Sequence, residues 1–492
     1  MTPSPRCLAL GLSFAIAAAT SAAEIPKPPE SSRAQQLVLQ MRTGSIRVAG
    51  GDTPPAEATK NRAAIKTVAE WLAYSIASPP YNGEPVPRED KTPAGVDRSM
   101  RALFEEADRY SILPVATGNQ GKVSQEQLEY GAEMGKAIAA AAKVVLDNSA
   151  RPIERINAVR LLSVAAKLPA VDLVDPLVDI VNNAKISDAE KLYAFQGLRN
   201  LLEQTEVLDQ TVHIPELRRD PVKLGKIAQA LTNYIMQKRT PRDDKDRAVI
   251  EYVRRNAVEA MARFKEGVLR KPNKDLIFRP SWTLARIMEQ DPTAYPPFTV
   301  QEQMEAATGF ALMKIDPDLN LDVAAYTLAK ITVIFARAAN VDSQRAARDG
   351  TLPIMHWRVA AARFSHALAT MRSGPLGTEG AKVLPKTRYP ETLVNLANTA
   401  IALLAKIEKG GAAEPTGTEV QAVMTWLTDN PPKAWTENPP KFATLYKDDP
   451  ESILPFPTAA VMKTPDAKGT DPKKGADPKA VDPKKGTPPK KP

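Results

Sequence analysis

RINAVRLLSVA at Arg155–Ala165, KLYAFQGLRNL at Lys191–Leu201 and RRNAVEAMARF at Arg254–Phe264 are three versions of one pattern. Each opens on a basic residue, then has two variable positions, Ala, Val or Phe, two more variable positions, and Leu or Met. The fixed apolar positions are Ala158, Val159 and Leu162, then Ala194, Phe195 and Leu198, then Ala257, Val258 and Met261. On a helix, residues three and four apart share a face. That face sets a small Ala beside two larger apolar groups, so a neighbouring helix can approach closely. Helices of this kind are suited to pack against near-copies of themselves, which is the logic of a helical repeat array. The pattern predicts how the chain is built and is silent about activity.

Outward from this stretch the helical spacing continues. Toward the N-terminus, Ala64, Ile65, Val68, Leu72 and Ile76 keep helical intervals, a Pro-rich loop spans 79–93, and helices are predicted near Val96–Tyr110 and from Ser124 to Asn148. Ser124…Gln127, Ser187…Glu190 and Thr299…Glu302 are capping-box pairs that mark helix starts. Toward the C-terminus, helices are predicted over Trp282–Gln290, Val300–Lys314, Val323–Ala339, Met355–Met371 and Leu393–Lys409, with a short one at Thr418–Leu427. No run of period-two strand is evident. The predicted fold class is all-α, an α-solenoid-like array of antiparallel helix pairs with Pro-rich, largely unstructured termini.

Helix pairs whose second member carries Arg-x-x-Ala-Val-x-x-Leu resemble HEAT or armadillo repeats, over roughly Ser124–Met371. That resemblance implies stacked helix pairs and a concave surface that binds other proteins. The chain departs from the family in two ways. The interval from Ala158 to Ala194 is 36 residues and that from Ala194 to Ala257 is 63, against ~40–47 in the class. Asp147, Asp188 and Asp246 precede their basic residues by unequal offsets of 8, 3 and 8. The Trp and Gly-Tyr signature of tetratricopeptide repeats is absent.

With 492 residues the chain is long enough for two or three domains or one elongated array. Hydrophobic content of 43% and charged content of 25% are ordinary for a globular protein, while aromatics at 5% are sparse. Arg6, the apolar run Leu8–Ala19 and Ser21-Ala22-Ala23 read as a secretory signal cleaved after Ala23. No later segment reaches the ~18 apolar residues of a membrane span. The expected location is secreted or periplasmic. Cys7, the only cysteine, lies in that signal, so the mature chain is expected to carry neither thiol nor disulfide. The expected divisions are 1–23 signal, 24–55 extended N-terminal arm, 56–409 α-helical repeat domain, 410–462 Pro-rich strap with a short helix, and 463–492 disordered tail. In the strap, LTDNPPK at Leu427–Lys433 recurs as WTENPPK at Trp435–Lys441. Paired prolines favour extended polyproline backbone. Trp426 and Trp435 beside them are read as capping an apolar edge of the array, with a recognition strip as the alternative.

The tail holds nine Lys against four Asp, +5 of the chain's net +9. It lacks the residues to form a core. It reads as a solvated segment and, second, as a weak anchor to an anionic cell-wall or membrane surface. Without interleaved aromatics, specific nucleic-acid binding is not expected.

No residue qualifies as catalytic, cofactor-binding or metal-binding. His213, His356 and His366 are the only histidines, and the last two, ten apart, point about 80° away from one another on a helix. Gly118…Gly121-Lys122 lacks the Gly and the Ser or Thr of a phosphate loop at Ala116 and Val123. Gly374, Gly377 and Gly380 follow no apolar strand. Glu105, Glu106 and Asp108 share one helical run, which cannot oppose two carboxylates across a sugar, so they are read as a solvated face. No cofactor is implied. The expected function is that of an exported non-catalytic scaffold for protein–protein interaction, with an all-α glycan lyase or muramidase-like enzyme as the competing class.

Overall fold

Helix follows the apolar spacing along the chain, and two helices start at the expected caps, Ser187 and Thr299, while Ser124 lies outside the described residues. In the computed structural model, residues 24–43, 45–46, 54–78, 95–110, 125–203, 216–314, 316–350, 355–373, 391–409, 417–437 and 443–453 are described. All belong to the unit Met1–Pro455, and the second unit, Phe456–Pro492, lies outside the described residues. The fold is all-α.

The first helices are α1 (Ser31–Arg42), α2 (Pro55–Ser75), α3 (Gly95–Tyr110) and α4 (Gln125–Asn148). The middle of the chain forms α5 (Pro152–Ala165), a 3-10 turn at Val171–Leu173, α6 (Val174–Asn182), α7 (Asp188–Glu203), α8 (Glu216–Arg219), α9 (Pro221–Ile235) and α10 (Asp244–Met261). Then come α11 (Pro280–Met288), α12 (Val300–Leu312), α13 (Leu321–Arg348), α14 (Met355–Ser373), α15 (Glu391–Lys409), α16 (Gly417–Asp429) and α17 (Lys433–Thr436). Among the described residues, four very short strands form two antiparallel hairpins, β1 (Leu269–Arg270) with β2 (Leu276–Phe278) and β3 (Thr444–Tyr446) with β4 (Asp449–Ile453).

The three pattern helices, α5, α7 and α10, stack in chain order. α5 packs on α7, α7 on α10, α10 on α12 and α12 on α14. Behind this row, α6 packs on α7 and α9, α9 on α10, α11 on α12, and α13 on α12, α15 and α16. All nine apolar positions of the pattern are fully buried. Backbones come close where the row uses glycine. A Cβ on Gly309 of α12 would stand 2.5 Å from the Cα of Ala262, at the end of α10. One on Gly197 of α7 would meet the Leu177 side chain at 2.9 Å and the Cα of Ser163 at 3.1 Å. At Gly309 the backbone of α10 leaves no room for a side chain, whereas a Cβ at Gly197 would force Leu177 to shift.

The basic residue that opens each pattern has its own task. Arg155 on α5 donates to Glu190 on α7 at 2.8 Å. Glu190 accepts from the Ser187 backbone N–H at 3.0 Å and its own N–H donates to the Ser187 hydroxyl at 3.4 Å, the reciprocal bonds of a capping box, while that hydroxyl also donates to the Glu190 carboxylate at 2.6 Å. Arg254 on α10 repeats this toward α12. It grips Glu302 with two bonds of 2.7 and 2.9 Å, and Glu302 closes the capping box with Thr299. Arg254 also donates to the carbonyls of Pro296 and Pro297 and lies over the Phe298 ring at 4.6 Å. The pattern's cation thus reaches forward to the capping glutamate of the next helix in the row. Lys191 is the exception. Nine-tenths buried on α7, it sits 5.7 Å from the Tyr234 ring centre, and burial pulls its ammonium below the ordinary lysine range. The nearby carboxylate of Asp188 is held by Arg239 at 2.6 Å.

Three elements depart from the sequence reading. Ser31–Arg42, inside the arm expected to be extended, is helical and buries Ala34, Val38 and Met41 at helical intervals. The two hairpins were not expected, because strands of two to five residues are too short to display a period. The 410–462 strap holds two helices and a hairpin. Its Trp426 is buried, and Trp435 meets Tyr326 edge-on at 4.9 Å.

The C-terminal hairpin is fastened to elements far away in sequence. Asn320 donates its backbone N–H to the Leu445 carbonyl at 2.8 Å, and Lys447 donates to that of Asp318 at 2.9 Å. Tyr446 is fully buried, its hydroxyl paired with Ser281, and burial pushes that phenol up to about 12. Arg279 stacks over the Tyr446 ring at 4.4 Å and binds Asp448 at 2.6 Å, and Asp449 as well.

Candidate functional site

Among the described residues, those singled out in the sequence do not gather into a reaction centre. His213, the Gly118–Lys122 loop and Gly374, Gly377 and Gly380 lie outside the described residues. His366 is exposed on α14, and His356, ten residues earlier, bonds to Gln301 at 2.8 Å. Among the described residues, no group of three or more His, Cys, Asp or Glu is placed to hold a metal ion.

Glu105, Glu106 and Asp108 are not all solvated, as the sequence reading had them. Glu106 is buried, with Arg42 of α1 at 3.5 Å and Tyr130 of α4 at 3.4 Å. Burial pushes its carboxyl up, against the pull of Arg109 and Arg42. Glu105 pairs with Arg42 as well, and Asp108 with Lys167 at 3.3 Å. This acidic run ties α1 and α4 to α3. An apolar cavity of about 20 Å³ lies beneath the C-terminal hairpin, among Phe310, Met313, Leu319, Leu328, Met371 and Tyr446. It has room for about one water and none for a substrate.

Polar side chains gather instead on one face that crosses α7, α10, α12 and α14. Arg199 on α7 reaches Glu259 on α10 at 2.9 Å, and Glu203 on α7 reaches Arg263 at 2.8 Å. One helix further, Arg255 donates to Gln301 on α12 at 2.7 Å, and Gln301 meets His356 on α14. Beside them Arg363 on α14 grips Glu305 on α12 with bonds of 2.6 and 2.9 Å. Helical spacing aligns these rungs, since Arg255 and Glu259 are four apart, as are Gln301 and Glu305. Burial pushes the Glu305 carboxyl up while Arg363 draws it down. Burial also lowers His356, so its ring is neutral over more of the physiological range.

In acid–base terms the face is constrained: one guanidinium holds both oxygens of Glu305 and occupies one lone-pair site on each. The face is better equipped for contact. Tyr252, 48% exposed, lies under the Arg255 guanidinium at 5.4 Å. Met355 and Val359, one turn apart on α14, are 63% and 53% exposed. Tyr, Arg and Met are enriched where protein interfaces concentrate their binding energy. The sequence reading missed this group because each member, taken alone, looks like a solvated helix residue. The one available signal was a Tyr or Met on a helix surface position where Lys or Glu is usual.

No family model matches the chain, and neither a curated protein nor a solved structure does.

Proposed function

We propose that the protein is an exported, non-catalytic helical-repeat scaffold that binds a protein partner through the face crossing α10, α12 and α14. The observation that carries the proposal is the row Tyr252, Arg255, Gln301, His356 and Met355. It joins three helices of the stacked row, sets a guanidinium over an aromatic ring, and ends on α14 next to an exposed Met355. Support for a repeat array comes from the forward stacking of α5, α7, α10, α12 and α14, with one cation-to-cap lock used twice. Support for export comes from the sequence of residues 1–23. Under this reading the basic tail adds a weak contact to an anionic cell-wall or membrane surface.

Site-specific photo-cross-linking tests the assignment. A photoreactive residue is placed at Tyr252 or Val359 of the full chain, and at exposed Lys245 as a control. The expected result is one adduct of constant mass at 252 and 359 and none at 245. Adducts of scattered mass at all three positions, or none, would sink the reading. Release of soluble sugar from cell-wall polymer by the purified chain, abolished in Glu305→Gln, would replace it with the glycan-enzyme class.

A further inference from the structure

On the face that crosses α7, α10, α12 and α14, the described charges do not balance. Each glutamate there is already held by an arginine of the same chain: Glu203 by Arg263 at 2.8 Å, Glu259 by Arg199 at 2.9 Å, and Glu305 by both arms of Arg363. Glu251, at the edge, is held by Arg247 at 2.9 Å. Two guanidiniums have no such match. Arg255 donates to the neutral amide of Gln301 at 2.7 Å, and the carboxylate within its ion-pair reach, Glu259 at 3.7 Å, is the one that Arg199 holds. Arg358 on α14 donates to a backbone carbonyl, that of Glu408 on α15, at 2.8 Å. The apolar part of the face lies beside these two cations. Met355 and Val359 flank Arg358 on α14, and Tyr252 lies under Arg255 on α10, all three exposed.

We infer, resting on the scaffold reading above, that this part of the face takes an acidic segment of the partner protein, an extended stretch with an apolar side chain set between carboxylates. The apolar side chain packs on Met355, Val359 and Tyr252, which gain burial that the free chain forgoes. The carboxylates meet Arg255 on one side and Arg358 on the other, since a guanidinium with spare donors can grip a carboxylate by two bonds. A basic segment finds every glutamate of the face engaged and meets two cations of its own sign. Neighbouring helix axes lie about 8–10 Å apart, so the two steps from α10 to α14 span about 16–20 Å. An extended chain rises about 3.3 Å per residue, and about six residues cover that distance.

The test titrates the full chain into a fluorescent peptide of about eight residues, with glutamates at both ends and leucines between, and reads anisotropy at physiological salt. The expected result is saturable binding, weakened about three- to fivefold by Arg255→Gln and by Arg358→Gln, the scale of a partly exposed charge pair. Met355→Ala should weaken it about tenfold. Arg255→Lys, which keeps the charge, should retain most of the affinity. Arg242→Gln removes one charge at an 87% exposed side chain just before α10 and should leave binding unchanged. The basic tail is present in every variant, so its own pull on the peptide is common to all of them. Equal binding by Arg255→Gln, Arg358→Gln and Arg242→Gln overturns the inference, because the charge of the chain at large then holds the peptide. So does the absence of binding up to about 1 mM chain, or equal binding of a peptide with lysines in place of the glutamates. An oligothymidylate of equal charge that binds more tightly, and is released by the same substitutions, also overturns it. The cross-links at 252 and 359 decide the scaffold reading separately: one adduct there beside a failed peptide test keeps that reading and removes only the acidic partner.

Discussion

At the residue scale, the small Ala of the repeated pattern marks where helices touch. Ala158, Ala194 and Ala257 have no exposed surface, so replacing any one by Leu over-packs a closed contact. The expected cost is ~1–3 kcal/mol, read as a lower melting temperature in each single variant. Ala248, exposed on the first turn of α10, should accept Leu with little change. Melts in which the three substitutions match that control would show the shared pattern to be coincidence. The Arg254–Glu302 pair sets a harsher test. Both side chains are almost wholly buried, at 3% and 0% exposed. Glu302→Gln keeps the shape but leaves the guanidinium without a counter-charge, and the expected loss is about 3–5 kcal/mol. Replacing both partners by apolar residues of similar volume should cost less than Glu302→Gln alone, since no charge is then stranded. The opposite order in chemical denaturation would mean that the pair itself, and not the avoidance of an orphan charge, holds α10 to α12.

At the element scale, the chain uses helix caps as joints between neighbours. Glu190 is at once the third residue of the α7 cap and the acceptor for Arg155 of α5. Burial pushes its carboxyl up, but the Ser187 hydroxyl and the Arg155 guanidinium outweigh this and bring it below the ordinary range. A group whose folded value is depressed contributes stability above its unfolded value, and that contribution fades as pH falls through the folded one. Glu190→Gln should therefore cost about 1–3 kcal/mol near neutrality. The gap between wild type and variant should narrow as the pH falls below the usual carboxylate range, which paired melts at several pH values would read. A gap independent of pH would place the loss in packing. Sequence showed half of this joint. Ser187…Glu190 and Thr299…Glu302 announce their caps locally, and the Arg-x-x-Ala spacing announces the helices. The link from Arg155 to Glu190, or from Arg254 to Glu302, spans 35 or 48 residues, and no local period records it. The same limit hid the face of Tyr252, Gln301 and His356, whose members become neighbours only once α10, α12 and α14 are stacked. α1 escaped notice because its apolar stripe is three residues long and lies between proline- and glycine-rich flanks. The C-terminal hairpin escaped because its strands gain their order from Arg279 and Asn320, far away in the chain.

At the scale of the whole molecule, the two ends of the sequence carry expectations that the packed helices do not decide. If residues 1–23 direct export, intact mass of the exported protein should begin at Glu24 and lack Cys7. Material that retains Cys7 would remove the basis for placing the protein outside the cytosol. The C-terminal tail is a question of charge against packing. Residues 463–492 hold nine Lys and four Asp with no aromatic residue, so their deletion should cost almost no burial energy. The melting temperature should stay where it is. Any attraction of the tail to an anionic surface comes from a net +5 spread over 30 residues, and such contacts are screened over ~8 Å at physiological ionic strength. Binding of the full-length chain to anionic vesicles or cell-wall polymer should thus fall steeply from low to physiological salt. The truncated chain should bind less throughout and respond less to salt. Co-sedimentation of both forms across a salt series, beside melts of both, separates the cases. A marked drop in melting temperature on truncation would mean that the tail docks on the helices. Equal sedimentation of the two forms at low salt would leave the tail as a solvated spacer, and any affinity for anionic surfaces would then belong to the helical body.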